Sequence, residues 1–214
     1  MAGVSGHRYL TKCLEPIECN LNALNLSGLT VVEFGLGRGA ITRLLRHTKA
    51  ERIIAFEPFI GEIDPDILEW SNSQQPPELM INPKEFLLTP ENPEGDLRSY
   101  DYSAMLGNTP FCIISNPPYA MYSRIMSLTG EYLKPESKDD FTKIGSNYKG
   151  SLLITSGNRL YSHPGYQVLA AYQEDMFDPP IGGEQKHYLI MDGFEGRIDH
   201  SELQIPAMNP LQKS

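Results

Sequence analysis

The clearest pattern of hydrophobic and polar positions lies between residues 30 and 45. An apolar, β-branched run at Val31 and Val32 is followed by glycines at alternate positions and then by apolar residues at helical spacing. This order predicts a buried strand, a glycine turn and a helix, the unit that opens a nucleotide-binding α/β sheet. Gly35, Gly37 and Gly39 suit a turn that approaches a ligand closely, because they lack a Cβ atom. A tight turn without a ligand is the alternative.

Other apolar runs complete an alternating pattern of strands and helices. They predict strands over 53–57, 79–81, 111–115, 150–155 and 187–191, and helices over 17–26, 40–49 and 66–70. Residues 166–172 form a continuous apolar run, and the prolines between 75 and 97 exclude regular structure there apart from the brief strand. We expect one α/β domain over 1–200, with a mostly parallel sheet and helices on both faces, and a polar tail over 201–214.

Composition narrows the class of protein. The chain has 214 residues, of which 40% are hydrophobic, and it contains neither an apolar run of 18 residues nor the apolar core of a secretory signal. Its three cysteines lack metal-ligand spacing, so we expect a reducing, cytoplasmic setting with no metal site. The formal charge of −9 argues against a globally basic nucleic-acid binder.

A second motif joins the strand at 111–115 directly to Asn116-Pro-Pro-Tyr119. Pro117 and Pro118 stiffen the backbone after the strand, which presents the Asn116 amide and a neighbouring carbonyl as paired acceptors. Two acceptors that draw the hydrogens of an sp² amine make its nitrogen more nucleophilic toward a methyl group, and Tyr119 is placed to stack on an extruded base. A proline turn after a buried strand is the alternative.

Together these motifs indicate S-adenosylmethionine (SAM) as the cofactor and an amine as the methyl acceptor. Glu57 ends the strand after the glycine turn, at the spacing of an acid that accepts hydrogen bonds from ribose hydroxyls. For the adenine amino group we favour Asp101, with Asp96 or no acid as the alternatives. Phe177, beside two prolines, is either the second wall of a base pocket or a core aromatic.

One face of the helix predicted over 40–49 carries three cations, Arg43, Arg46 and Lys49. They are either a solvated helix face or a contact to an RNA backbone.

In order along the chain, the motifs resemble the rRNA adenine dimethyltransferase family, which includes the macrolide-resistance methylases. The family's glycine loop, Glu-Ile-Gly-x-Gly-x-Gly-x-Leu-Thr, is similar to residues 33–42, and its Asn-Leu/Ile-Pro-Tyr is similar to residues 116–119. Its Gln-Asn-Phe-Leu-type and Phe-x-Pro-x-Pro stretches resemble residues 7–11 and 177–180 more loosely. The resemblance covers roughly residues 6–195.

The resemblance implies a Rossmann-like SAM-dependent methyltransferase fold. The cofactor-binding residues it implies are Leu10, Glu33, Gly35, Gly37, Gly39, Glu57, Asp101 and Asn116. The catalytic motif is Asn116, Pro117, Pro118 and Tyr119, with Tyr119 and Phe177 against the base. Pro117 is more usual in DNA adenine methyltransferases and in the glutamine methylases of release factors. The chain ends about where the family's helical C-terminal domain begins.

Three functions follow as hypotheses. The first is methyl transfer to the exocyclic amine of adenine in RNA, or else in DNA, with a partner subunit supplying the basic surface. The second is methylation of a protein side-chain amide or a small amine, which the acidic balance favours. The third is a non-catalytic SAM-binding partner protein. None of the three involves a membrane.

Overall fold

A seven-stranded sheet lies at the centre of the protein, in a computed structural model that describes residues 10–11, 14–57, 60–74, 79–81, 106–117, 147–156, 166–172, 177–178 and 187–203. The strands are β1 (Leu10–Thr11), β2 (Thr30–Phe34), β3 (Arg52–Glu57), β4 (Leu79–Ile81), β5 (Phe111–Ser115), β6 (Tyr148–Ser156), β7 (Gln167–Tyr172), β8 (Phe177–Asp178) and β9 (His187–Gly193). The helices are α1 (Glu15–Asn22), α2 (Ala40–Leu45) and α3 (Pro65–Ser73), with a 3-10 turn over Ile60–Glu62.

The strand order across the sheet is β4-β3-β2-β5-β6-β9-β7. The first five of these strands are parallel, and β9 runs antiparallel between β6 and β7. From β2 the chain winds outward to β3 and β4, and it later continues on the other side of β2 with β5 and β6. The direction of winding therefore reverses between β2 and β5, and ligands bind at the carboxyl ends of the strands beside such a point. The predicted α/β fold with a mostly parallel sheet is confirmed.

The central strands are buried along their whole length. All five residues of β2 and all five of β5 are buried, as expected for parallel strands covered on both faces. Cys112 is a core residue of β5, and burial raises the pKa of its thiol above the ordinary value.

Among the described residues, two hydrophobic clusters pack on the sheet. The larger one includes Ile17 from α1 and Leu45 from α2, and the smaller one packs α3 through Ile67 against Ala55 of β3. Leu45 and Ile67 are fully buried, and burying a side chain of this size stabilises the fold by about 1.5–3 kcal/mol. The helices are thus held by their apolar faces.

The strands predicted over 53–57, 79–81, 111–115, 150–155 and 187–191 are confirmed, and the apolar run at 166–172 contains β7. Helix α2 is shorter than predicted, because it ends at Leu45 rather than at residue 49. The Thr48 hydroxyl donates to the Leu45 carbonyl at 2.7 Å, and the Ala50 N–H in turn donates to that hydroxyl at 3.3 Å. These bonds turn the chain toward β3.

No helix among the described residues is long and apolar enough to cross a membrane.

Candidate active site

The glycine turn between β2 and α2 adopts a backbone that favours glycine. Gly35, Gly37 and Gly39 have φ values of 75°, 57° and 91°, all in the left-handed region. The Gly35 N–H donates to the Phe56 carbonyl at 2.9 Å, so the turn begins while β2 is still bonded to β3. The turn therefore lies at the carboxyl edge of the sheet, where ligands bind in this class of fold.

Gly39 also needs glycine for a second reason. A Cβ atom at this position would lie 2.5 Å from Cγ1 of Ile67 in α3. The end of the turn and the start of α2 therefore pack directly on α3. This contact fixes the turn against the element that follows β3.

Glu57 connects the end of β3 to the glycine turn. Its side chain is buried, and its Oε2 accepts a hydrogen bond from the Gly37 N–H at 2.7 Å. A carboxylate at this place in the fold is the group expected to bind ribose hydroxyls. The two candidate cofactor-binding residues are thus in direct contact.

Glu33 lies two residues before Gly35 and is only 1% exposed. Its Oε2 accepts a hydrogen bond from the Thr42 hydroxyl of α2 at 2.6 Å. Burial, reinforced by the negative charge of Glu57 and opposed by the Thr42 bond, raises the pKa of Glu33 to about 8. In the free protein this carboxyl is therefore mostly protonated at pH 7, and a nearby cation would favour its ionised form.

On the other side of the reversal point, Asn116 and Pro117 follow directly after the end of β5. Asn116 is half-buried and Pro117 is buried. Ser115, which precedes them, accepts a hydrogen bond through Oγ from the Phe34 N–H at 3.2 Å and donates one to the Phe34 carbonyl at 2.5 Å. The strand that carries the glycine turn and the strand that carries Asn116 are thereby joined at their ends.

Ser115 did not emerge from the sequence motifs. The available signal was a hydroxyl residue at the end of an otherwise apolar strand, immediately before Asn116. A buried hydroxyl at such a place requires hydrogen-bond partners.

The loosely matched positions Leu10 and Phe177 lie on neighbouring strands. Strands β1 and β8 form a separate two-stranded antiparallel sheet, in which Leu10 is opposite Asp178 and Thr11 is opposite Phe177. The backbone thus brings the two motifs together. The predictions for Asp101, Pro118 and Tyr119 fall outside the described residues.

The cations of α2 make ion pairs within the protein. Arg43 contacts Asp64 at 2.7 Å and Asp66 at 2.6 Å, and Arg46 lies 3.6 Å from Asp66. Hydrogen bonds from Arg43 lower the pKa of both aspartates below their ordinary values. Arg43 and Arg46 therefore join α2 to the start of α3, an arrangement that neither sequence interpretation included.

Similar solved structures have the same fold at low sequence identity. The 23S rRNA methyltransferase ErmE superposes with a TM-score of 0.52 and 16% identity, covering 85% of this chain and 68% of that one. A dimethyladenosine transferase from Plasmodium falciparum gives a TM-score of 0.53 and 14% identity, covering 85% of this chain and 61% of that one. No protein-family profile matches the chain, and no curated protein matches it in sequence.

The class defined by the strand order, the reversal point and these superpositions is the Rossmann-like methyltransferase fold. This chain spans somewhat less than two thirds of the length of the Plasmodium protein. At these identities the likeness concerns the fold alone.

Proposed function

We propose that the protein is a SAM-dependent N-methyltransferase whose acceptor is the exocyclic amine of adenine in RNA. The observation that carries this proposal is the arrangement at the reversal point. The glycine turn follows β2 and is bonded to Glu57 at the end of β3, Asn116 follows β5 on the other side of β2, and Ser115 links β5 to β2. If the glycine turn and Glu57 bind the cofactor and Asn116 binds the acceptor, as we propose, the two molecules lie side by side, as a direct transfer between them requires.

The residues on the cofactor side fit the chemistry of SAM. The backbone of Gly35, Gly37 and Gly39 presents no Cβ atoms to a ligand, and the buried carboxyl groups of Glu33 and Glu57 complement a ligand that carries positive charge. When bound, SAM would supply an electrophilic methyl group: a nitrogen–carbon bond would form as the carbon–sulfur bond breaks with its electron pair going to sulfur, and the nitrogen would lose a proton to solvent. We assign the ribose hydroxyls to Glu57. Leu10 and Asp101 complete this proposed set.

On the acceptor side, the proposed role of Asn116 is to accept a hydrogen bond from the amine. Its position directly after a buried strand and before a buried proline restricts its movement. Pro118 and Tyr119 continue the motif, with Tyr119 and Phe177 as the proposed contacts to the base. Positioning of the amine supplies most of the rate enhancement in this scheme.

RNA is the acceptor we favour because both superposed proteins are, by name, RNA methyltransferases or dimethyladenosine transferases. The net charge of −9 and the internal pairing of Arg43 and Arg46 leave little cationic surface on α2 for phosphates. We therefore include in the proposal a partner subunit that supplies basic surface, in a cytoplasmic setting.

Methylation of a protein side-chain amide or small amine is the second candidate. The acidic balance favours it, since such acceptors need no phosphate contacts. In this candidate the amide nitrogen donates a hydrogen bond to Asn116, which Pro117 holds in place, just as the adenine amine does in the first candidate.

The test uses tritiated SAM with total RNA, DNA and a cell protein extract as separate acceptors. We expect label in RNA that digests to methylated adenosine, and label in protein would establish the second candidate instead. Asn116→Ala should lower transfer by about 100-fold or more while SAM affinity changes by less than about threefold. Asn108→Ala, at an exposed position before the same strand, is the matched control.

Binding of SAM without label in any acceptor, when cell extract is also added as a source of the partner subunit, would contradict the proposal. It would favour a non-catalytic SAM-binding protein. A fully active Asn116→Ala variant would remove Asn116 from the acceptor site.

A further inference from the structure

Strands β2 and β5 separate before they end. Their parallel pairing runs from Thr30 opposite Phe111 to Val32 opposite Ile113. On its other side, β2 stays paired with β3 as far as Phe34 opposite Phe56. A split between neighbouring strands at the reversal point is the crevice in which folds of this class bind their ligands.

The Ser115 side chain bridges the strands where their pairing ends. Its hydroxyl accepts from the Phe34 N–H at 3.2 Å and donates to the carbonyl of the same residue at 2.5 Å. In a regular parallel ladder, two backbone groups of the neighbouring strand would bond this N–H and this carbonyl. Here the hydroxyl of Ser115 bonds both groups, and Ser115 is buried at 1% exposure.

The bridge lies one residue from each half of the candidate active site. Phe34 precedes Gly35 at the start of the glycine turn, and Ser115 precedes Asn116. Two hydrogen bonds to a short side chain therefore set how far the turn stands from Asn116. A longer side chain or a missing hydroxyl changes that separation.

We propose that Ser115 is a positioning residue that holds the glycine turn and Asn116 at the separation required for methyl transfer. This inference rests on the proposed function. Direct transfer requires the reacting atoms to approach to about 3–3.5 Å, and a misplacement of about 1 Å lowers the rate by about 100-fold. Ser115 contacts neither reacting atom in this scheme, and it acts through Phe34.

The experiment compares Ser115→Ala, Ser115→Thr and Thr155→Val. The threonine variant retains a hydroxyl at position 115. Thr155 is the matched control because it is also buried near the carboxyl end of a strand, but its hydroxyl has no hydrogen-bond partner in the described structure. Each variant is measured for SAM affinity by calorimetry, for kcat and KM with tritiated SAM and the acceptor that the wild type labels, and for hydrogen exchange at the Phe34 amide.

For Ser115→Ala we expect kcat to fall by about 10- to 100-fold, while the affinity for SAM stays within about threefold of wild type. The Phe34 amide should exchange faster, because it loses its bond to the hydroxyl. Ser115→Thr should recover part of kcat, and Thr155→Val should match the wild type in all three measurements.

Equal kcat values for Ser115→Ala and Thr155→Val would overturn the positioning role, whatever the acceptor is. A loss of SAM affinity as large as the loss of kcat would overturn it too, because the hydroxyl would then serve cofactor binding alone. A wild-type protein that labels no acceptor even with cell extract added as a source of the partner subunit would instead overturn the proposed function, and the exchange rate at Phe34 would still report whether the bridge forms. The two failures are therefore distinguishable.

Discussion

The parallel and antiparallel parts of the sheet use buried groups in different ways. In the parallel part, the ends of β2 and β3 carry Glu33 and Glu57, the two buried carboxyl groups of the described residues. The antiparallel part, formed by β6, β9 and β7, buries mainly apolar side chains such as Leu153 and Ile190. Burying a carboxyl group destabilises the fold unless partners compensate, so its presence at one edge marks where binding is expected.

The glycines of the parallel and antiparallel parts also differ in their surroundings. Gly35 and Gly37 form a turn at an edge, whereas Gly193 of β9 faces Gly150 of β6 within the sheet. A Cβ at Gly193 would lie 2.7 Å from the Gly150 Cα and 2.8 Å from the Lys149 carbonyl oxygen. The antiparallel glycines therefore serve strand packing, whereas Gly35 and Gly37 are the glycines that we propose allow a ligand to approach. Four substitutions test this comparison between the parallel and antiparallel parts of the sheet, in order of decreasing effect.

The largest effect is expected for Gly193→Ala. The new methyl group would meet backbone atoms that cannot rotate away, and the φ of 73° is strained for alanine. We expect the free energy of unfolding to fall by about 3–5 kcal/mol, measured by urea denaturation. The SAM affinity of the folded fraction should stay unchanged. A lowered affinity would contradict the view that the antiparallel part of the sheet takes no part in ligand binding.

Gly196→Ala is the matched control for Gly193→Ala. Its φ is 69°, but nothing lies within 4 Å of an added Cβ. Its free energy of unfolding should therefore fall only by the cost of backbone strain, about 1–2 kcal/mol.

Glu33→Gln tests the buried carboxyl through pH. The folded-state pKa of about 8 lies above the ordinary value of 4.5, so the stabilising contribution of the protonated Glu33 is fully present below pH 4.5 and is lost as pH rises through 8. Glutamine does not ionise, and relative to wild type the variant should gain about 4 kcal/mol across this window. Urea denaturation at several pH values measures the gain.

The exposed Glu51→Gln is the control for removing one carboxylate from the chain. A stability difference between Glu33→Gln and wild type that does not change with pH would show that Glu33 is not held neutral.

Gly39→Ala tests the contact between the glycine turn and α3. The added Cβ would press on Ile67, which can move only together with α3. We expect about 2 kcal/mol of destabilisation and weaker SAM binding, measured by denaturation and calorimetry. Gly28→Ala, with a φ of 71° and open space around it, should leave SAM binding unchanged. Equal SAM affinities in the two variants would contradict the contact's role.

The smallest effect is expected for Arg43→Ala. The ion pairs with Asp64 and Asp66 are partly exposed, so their loss should lower the melting temperature by no more than about 3 °C, and less at high salt. Lys49→Ala removes an exposed cation near the end of α2 and is the control. If Lys49→Ala lowered the melting temperature as much as Arg43→Ala, the loss would reflect charge rather than the ion pairs.

Local patterns in the sequence predicted most of the elements. The strand before the glycine turn and the strand before Asn116 were both predicted, because a continuous apolar run is a local property of the chain. The end of α2 was predicted wrongly, since the hydroxyl of Thr48 competes for the helix carbonyl in a way that apolar spacing does not reveal.

The α/β class, the positions of the glycines and the order of the motifs follow from local patterns in the sequence. Which groups meet at the reversal point depends instead on how the strands and helices are assembled. Ser115 and Phe34 are 81 positions apart, and Arg43 and Asp64 are 21 apart, so no local pattern relates them. The physical reason is that local periodicity specifies which face of an element is buried, whereas hydrogen bonds and ion pairs between elements depend on how the whole sheet is assembled.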